Sequence, residues 1–291
     1  MGTALVTGAT SGIGEEFCWQ LAAARHDLVI VARTQERLEE LATRLRQVAA
    51  VRVEVLPADL SDPGDVARVA RRLSQPGGPA IPDVDRRFAG DVPVREEGGA
   101  SLEADRGPAS ALATPAPIGL LVNNAGFGLG RAFLEDDLAA EERALDVMVR
   151  AVMVLSHAGA RAMRARGHGA ILNVGSVAAD TGMGTYSAHK AWVRAFTEGL
   201  SEELRGTGVT ATVVSPGLTR THFHEAAGME LSSTPGWIWA TPDRVVSSAL
   251  QAVRRGRTQV TPTPLYRATS ALARLAPRSL VRAIVRRVPH T

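Results

Sequence analysis

Eight residues near the start of the chain, Thr7-Gly8-Ala9-Thr10-Ser11-Gly12-Ile13-Gly14, leave it few folds to choose from. They follow an apolar run, Ala4 to Val6, and lead into helical sequence from Gly14 to Ala24. Gly8 suits a tight turn at positive φ. Gly12 lets a backbone come close to a pyrophosphate, and Gly14 lets the helix pack closely on the strand. The N-terminus of that helix would face phosphates with free N–H groups and a positive dipole. The alternative is a plain tight turn, and the rest of the chain decides between the two.

Apolar strands and helices alternate after the turn. Leu28–Ala32, Val51–Leu56, Leu120–Val122, Ala170–Val174 and Val209–Val214 read as strands. Most are apolar on both faces, as strands of a covered parallel sheet are. Between the second and third, Leu38, Leu41, Leu45 and Val48 fall on one helical face. The expected fold is α/β: a doubly wound parallel sheet of Rossmann type in a single domain over residues 1–291. A composition of 45% hydrophobic and 22% charged residues fits one large core and excludes a disordered chain. One stretch breaks the alternation. Pro76 to Pro117 holds seven prolines and six glycines in 42 residues, which predicts a solvent-exposed, largely disordered insertion within the domain.

Other classes fall away on composition. Cys18 is the lone cysteine, so neither a disulfide within the chain nor a cysteine zinc site is expected. His222 and His224 lack acidic or cysteine companions, and no metal is read there. No apolar run is long enough for a membrane span. The opening residues enter strand-like sequence without a charged and an apolar leader region, which points to the cytoplasm. The net charge is only +3, and the one basic cluster is C-terminal, so no nucleic-acid partner is expected.

The glycine spacing, Gly-x-x-x-Gly-x-Gly, resembles that of the short-chain dehydrogenase/reductase family. The likeness runs through Asp59-Leu60, Asn123-Asn124-Ala125-Gly126, Ser176, Tyr186-Ser187-Ala188-His189-Lys190 and Pro216-Gly217. It spans almost the whole chain outside the insertion, and the segment Thr219 to His224 and the arginine-rich C-terminus resemble a subgroup of bacterial members without an assigned activity. The resemblance implies an enzyme that interconverts a carbonyl and an alcohol by hydride transfer. It implies that Gly8, Thr10, Ser11, Gly12, Ile13 and Gly14 hold the cofactor phosphates and that Asp59 and Leu60 meet the adenine. Asn123, Ala125 and Gly126 would lie along the ribose, with Pro216, Gly217 and Thr221 on the nicotinamide carboxamide. Ser176, Tyr186 and Lys190 would be catalytic, with Tyr186 and Lys190 also touching the cofactor. A homodimer or homotetramer is implied as well.

The residues themselves support the chemistry. Tyr186 and Lys190 share a helical face. A lysine cation beside a phenol should lower the phenol's pKa towards neutrality, making a general acid/base. Ser176 would hydrogen-bond the substrate oxygen. Lys190 is the single lysine in a chain that otherwise uses arginine for its cations. For the choice of cofactor, the second strand ends Val31-Ala32-Arg33, with no acid for a ribose 2′-hydroxyl. A guanidinium there suits a 2′-phosphate, with Arg37 as a second contact, so NADP is expected.

Two departures from the family pattern stand out. Met148 occupies a place where members often carry an asparagine that orders a water relay to the lysine, and a thioether cannot donate a hydrogen bond. Ser176 and Tyr186 are ten residues apart, a shorter loop than usual. Phe223, Met229, Leu231, Trp237, Ile238 and Trp239 read as a lid over an apolar substrate, within 218–240. Residues 265–291 read as an arginine-rich helical extension, suited to a membrane surface, a subunit contact or the body of the fold. The expected activity is NADP-dependent reduction of an apolar ketone or aldehyde. The rival reading is an NADP-binding regulatory protein with vestigial chemistry.

Overall fold

The computed structural model describes residues 2–75, 115–130, 132–182, 184–221 and 235–276. Seven parallel strands form one sheet in the order β3-β2-β1-β4-β5-β6-β7. They are β1 (Thr3–Thr7), β2 (Asp27–Ala32), β3 (Val53–Pro57), β4 (Ile118–Asn123), β5 (Gly169–Val174), β6 (Val209–Val214) and β7 (Gln259–Val260). The expected doubly wound sheet is present, and its strand order reverses between β1 and β4. Ligands of such sheets bind at that crevice, outside the C-terminal strand ends.

Neighbouring residues of one strand feed opposite faces. Ala4 and Val6 join a core with Phe17 and Leu21 of α1 (Gly12–Ala23), Leu38 and Leu45 of α2 (Gln35–Ala49), and Val245 and Val246 of α7 (Pro242–Arg254). Leu5, between them, joins a second core with Val66 and Val69 of α3 (Pro63–Ser74) and Leu155 and Met163 of α5 (Ala151–Arg166). Burying each such leucine or phenylalanine contributes about 1.5–3 kcal/mol, so both faces of the sheet are held. The remaining helices are α4 (Leu138–Leu145), α6 (Gly184–Glu203) and α8 (Pro264–Leu275).

Local chemistry sets several helix starts. Asp62 caps α3 by accepting from the Asp65 N–H, with Pro63 in the first turn. Thr241 caps α7 in the same way, followed by Pro242. Between α4 and α5 the helix does not continue regularly. Asp146–Arg150 forms a π-helical turn, with Met148 buried inside it.

Of the insertion read over Pro76 to Pro117, residues 76–114 lie outside the described residues, and 115–117 are described, with Ala116 bonded to the body of the fold. Its two described ends meet at one corner. Arg72, in the last turn of α3, pairs with Glu54 and donates through Nη2 to the Ala116 carbonyl at 3.1 Å. Phe223, Met229 and Leu231, with His222 and His224, also lie outside the described residues. On either side of that segment, Ala240 donates to the Leu218 carbonyl at 2.8 Å and Arg220 to that of Ala240 at 3.0 Å. Trp237, in the 3-10 turn Gly236–Ile238, is 73% exposed. Of the expected C-terminal extension, α8 is helical, and residues 277–291 lie outside the described residues.

Candidate active site

The turn after β1 has the geometry its glycines predict. Gly8 and Gly12 sit at φ +64° and +52°, where a side chain would be strained. A Cβ on Gly14 would lie 2.0 Å from the Gly8 carbonyl oxygen, so only glycine lets α1 close on the strand. Asn124 completes the turn from the β4 side. Its Nδ2 donates to the carbonyls of Thr7 at 3.0 Å and Gly8 at 3.2 Å, and its N–H donates to Thr7 Oγ1 at 3.0 Å. Ser11, the N-cap of α1, makes no side-chain capping bond, so the first N–H groups of α1, Gly12 and Ile13, are left uncapped by it at the crevice end of the strand.

Residues distant in sequence gather on this turn. A Cβ on Gly12 would touch Thr221 Cγ2 at 2.9 Å, so the segment after β6 lies against the glycine turn. A Cβ on Gly8 would touch Ala125 Cα at the same distance. Gly12 therefore makes room for Thr221 as well as for any bound phosphate. Leu60 is buried in the core and has only its backbone to offer. The Asn123 side chain points inward: Nδ2 donates to Asn173 Oδ1 at 2.8 Å and Ser156 Oγ at 3.1 Å, and Asn173 in turn donates to Thr197 Oγ1 at 2.9 Å. At Asn123, too, only the backbone is left for a ligand.

At the end of β2 the exposed Arg33 stands where no carboxylate is present. Asp59, after β3, accepts from the Ser61 N–H at 2.9 Å and hydroxyl at 2.7 Å. Partial burial pushes its pKa up, but these bonds with the nearby Arg33 and Arg143 charges outweigh it and hold the carboxyl below its usual value.

Ser176, Tyr186 and Lys190 come together beyond β5 and on α6. Ser176 caps the 3-10 turn Val177–Asp180, its Oγ accepting from the Ala178 N–H at 3.1 Å. The Val177 N–H donates to the Pro216 carbonyl at 3.0 Å, which ties this turn to the Pro216-Gly217 segment. The short Ser176-to-Tyr186 connection still brings the two side chains into hydrogen-bond contact. Lys190 Nζ lies 5.7 Å from the Tyr186 ring centroid and donates to the Val174 carbonyl at 2.9 Å.

The expected lowering of the phenol's pKa does not occur here. Burial pushes Tyr186 up to about 12, against the Ser176 hydrogen bond. Burial likewise pulls Lys190 down to about 8. The ammonium is anchored on a backbone carbonyl below the ring, so desolvation outweighs its attraction for a phenolate. Tyr186 is accordingly a protonated donor at neutral pH.

Of two further nearby groups, Met148 was singled out in the sequence and Tyr266 was not. Met148 borders the lysine: a Cβ on Gly126 would lie 3.4 Å from its Sδ and 3.5 Å from Lys190 Nζ. The thioether thus fills space beside the ammonium, on a π-helical turn of the kind that often marks functional sites. Tyr266 of α8 packs flat on Gly217, whose Cβ would lie 2.1 Å from the ring. A polar residue in an apolar strand could have flagged Asn173, but no sequence signal points to Tyr266.

A profile of the short chain dehydrogenase family matches residues 2–79 and 103–231. The chain belongs to the short-chain dehydrogenase/reductase family. Among curated proteins it is 33% identical over 224 residues to sulfoacetaldehyde reductase 2 of Chromohalobacter salexigens, covering 75% of this chain and 73% of that one. It is 32% identical over 222 residues to the NADP-dependent 3-hydroxy acid dehydrogenase of Escherichia coli K12, covering 74% and 71%. Among solved structures, a short-chain dehydrogenase from Sphingobium yanoikuyae in complex with NADPH superposes with a TM-score of 0.75 at 30% identity, covering 99% and 97%. The bulky-bulky ketone specific alcohol dehydrogenase of Comamonas testosteroni does so with a TM-score of 0.70 at 27% identity, covering 99% and 95%. As a short-chain dehydrogenase/reductase, the chain is an NAD(P)-dependent oxidoreductase of carbonyls and alcohols.

Proposed function

We propose that this short-chain dehydrogenase/reductase uses NADPH to reduce an apolar ketone or aldehyde. The observation that carries the reading is the grouping of a protonated Tyr186, Ser176 and a buried Lys190 at the C-terminal ends of the strands, beside an uncapped helix N-terminus. The donor set fits an anionic dinucleotide: backbone N–H groups of the glycine turn for the pyrophosphate, and Arg33 for a 2′-phosphate. The NADPH of the Sphingobium protein and the NADP dependence of the Escherichia coli enzyme support that choice. The Comamonas enzyme is specific for bulky-bulky ketones, which supports a ketone substrate.

When bound, the nicotinamide supplies a hydride to the carbonyl carbon. Tyr186 donates its hydroxyl proton to the carbonyl oxygen as charge develops there. Ser176 hydrogen-bonds both the phenol and the substrate oxygen, which steadies that charge. Lys190 places a cation near the ring and stabilises the phenolate left behind. Met148 cannot pass a proton to Lys190, so position 148 does not supply the water relay that an asparagine orders there.

The same reading extends to assembly. Leu138, Leu145 and Met153 are exposed on α4 and α5 and support a homodimer or homotetramer. Among the described residues no helix is long and apolar enough to cross a membrane. A turnover panel of bulky ketones and their alcohols, each run with NADPH and NADH, tests the activity. NADPH consumption with ketones supports it; tight NADPH binding without turnover of any ketone or alcohol favours the regulatory alternative.

A further inference from the structure

Helix α8 is seated on the protein by one face only. Tyr266 packs on Gly217, Ser270 is buried, and the helix lies against the 3-10 turn Val177–Asp180. On the opposite face Leu265, Ala268, Leu272 and Leu275 follow a 3, 4, 3 spacing that makes one stripe. Leu272 and Leu275 are 69% and 85% exposed. Nothing among the described residues covers them.

The charge around this stripe is one-sided. From Arg244 to Thr291 the sequence holds ten arginines and neither lysine, aspartate nor glutamate. The other 243 residues hold 23 basic and 30 acidic ones, so a chain of net charge +3 divides into +10 at this end and −7 elsewhere. Among the described residues, Arg255, Arg257 and Arg267 make no ion pair and together border a small recess of about 90 Å³ with Ser248, Gln251 and Thr261.

We infer that this end of the molecule docks on an anionic lipid bilayer. Guanidinium groups pair with lipid phosphates, while the exposed leucines of α8 enter the acyl boundary. Neither rival occupant satisfies both halves of the surface. A nucleic acid would take the arginines and leave the leucines in water. A second copy placing the same face against this one would set Arg255, Arg257 and Arg267 against their own like charges. The inference does not rest on the reaction assigned above, and binding is read without turnover.

The test is co-sedimentation of the full-length protein with vesicles of phosphatidylcholine, alone and mixed with phosphatidylglycerol. Binding is expected to the mixed vesicles only, and to weaken with salt. Leu272→Glu/Leu275→Glu should lower it by about tenfold or more while melting temperature and turnover stay as in wild type. Arg255→Ala and Arg267→Ala should each lower it roughly fivefold. Failure to bind the mixed vesicles at low salt overturns the inference. So does vesicle binding that the leucine changes leave intact and duplex DNA competes away, which would mean a general polyanion patch. A change in oligomeric state in the leucine variant, with vesicle binding unaltered, would overturn it in favour of a subunit contact.

Discussion

Replacing Arg33 by aspartate should reverse the cofactor preference, and the size of the effect follows from where Arg33 stands. It is the first residue beyond β2, exposed, and close enough to Asp59 to help hold that carboxyl ionised. A charge-assisted hydrogen bond to a 2′-phosphate contributes about 1.5–3 kcal/mol. Exposure and salt place this one near the lower end, so losing the guanidinium should cost roughly tenfold in NADPH affinity. An introduced carboxylate adds repulsion of about 1 kcal/mol at the water limit, beside an Asp59 that has lost its cation. The ratio of NADPH to NADH dissociation constants should therefore change roughly fiftyfold in Arg33→Asp, and about tenfold in Arg33→Ala. Fluorescence titration of both nucleotides at low and physiological salt measures this directly. A wild type that binds NADH as tightly as NADPH, or an aspartate variant with an unchanged ratio, would refute the reading of this strand end.

Three further outcomes are expected. In Met148→Asn, an amide replaces the buried thioether beside Lys190, and turnover should rise or its pH profile shift; steady-state kinetics across pH would show neither if proton return never passes this position. Because burial pulls Lys190 down to about 8, its ammonium dominates below that pH and disappears above it, so reduction should slow as pH rises through about 8, and Lys190→Arg should flatten that limb, since a guanidinium does not titrate there. In Gly14→Ala the new Cβ would meet the Gly8 carbonyl oxygen at 2.0 Å. Overpacking of that kind costs about 1–3 kcal/mol, so the melting temperature should drop and NADPH binding weaken together, as a thermal melt with and without nucleotide would report.

The architecture was legible because it rests on short-range pattern. Apolar runs such as Leu28–Ala32, and the glycines of the first turn, fix strand, turn and helix locally, and the parallel order follows from that alternation. Tyr186 and Lys190 were legible because a helix places residues four apart on one face. What escaped depends on tertiary contacts. Asn123 reads as a cofactor contact, yet its side chain is spent on Asn173 and Ser156 across the sheet. The π-helical turn around Met148 leaves no mark in composition. The direction of the Tyr186 shift turned on desolvation, which a spacing argument does not contain. Tyr266 reaches Gly217 only because α8 folds back over the strand ends.

The proposed NADPH-driven carbonyl reduction turns on proton delivery by the Tyr186 hydroxyl. The measurement that tests it most directly is the single-turnover rate of NADPH oxidation by a bulky apolar ketone in wild type and Tyr186→Phe, with NADPH binding titrated for both. The phenyl ring keeps the packing and removes only the donor. The rate in Tyr186→Phe should be lower by about 10²–10⁴ with NADPH affinity largely unchanged. A variant that consumes NADPH at close to the wild-type rate would contradict it.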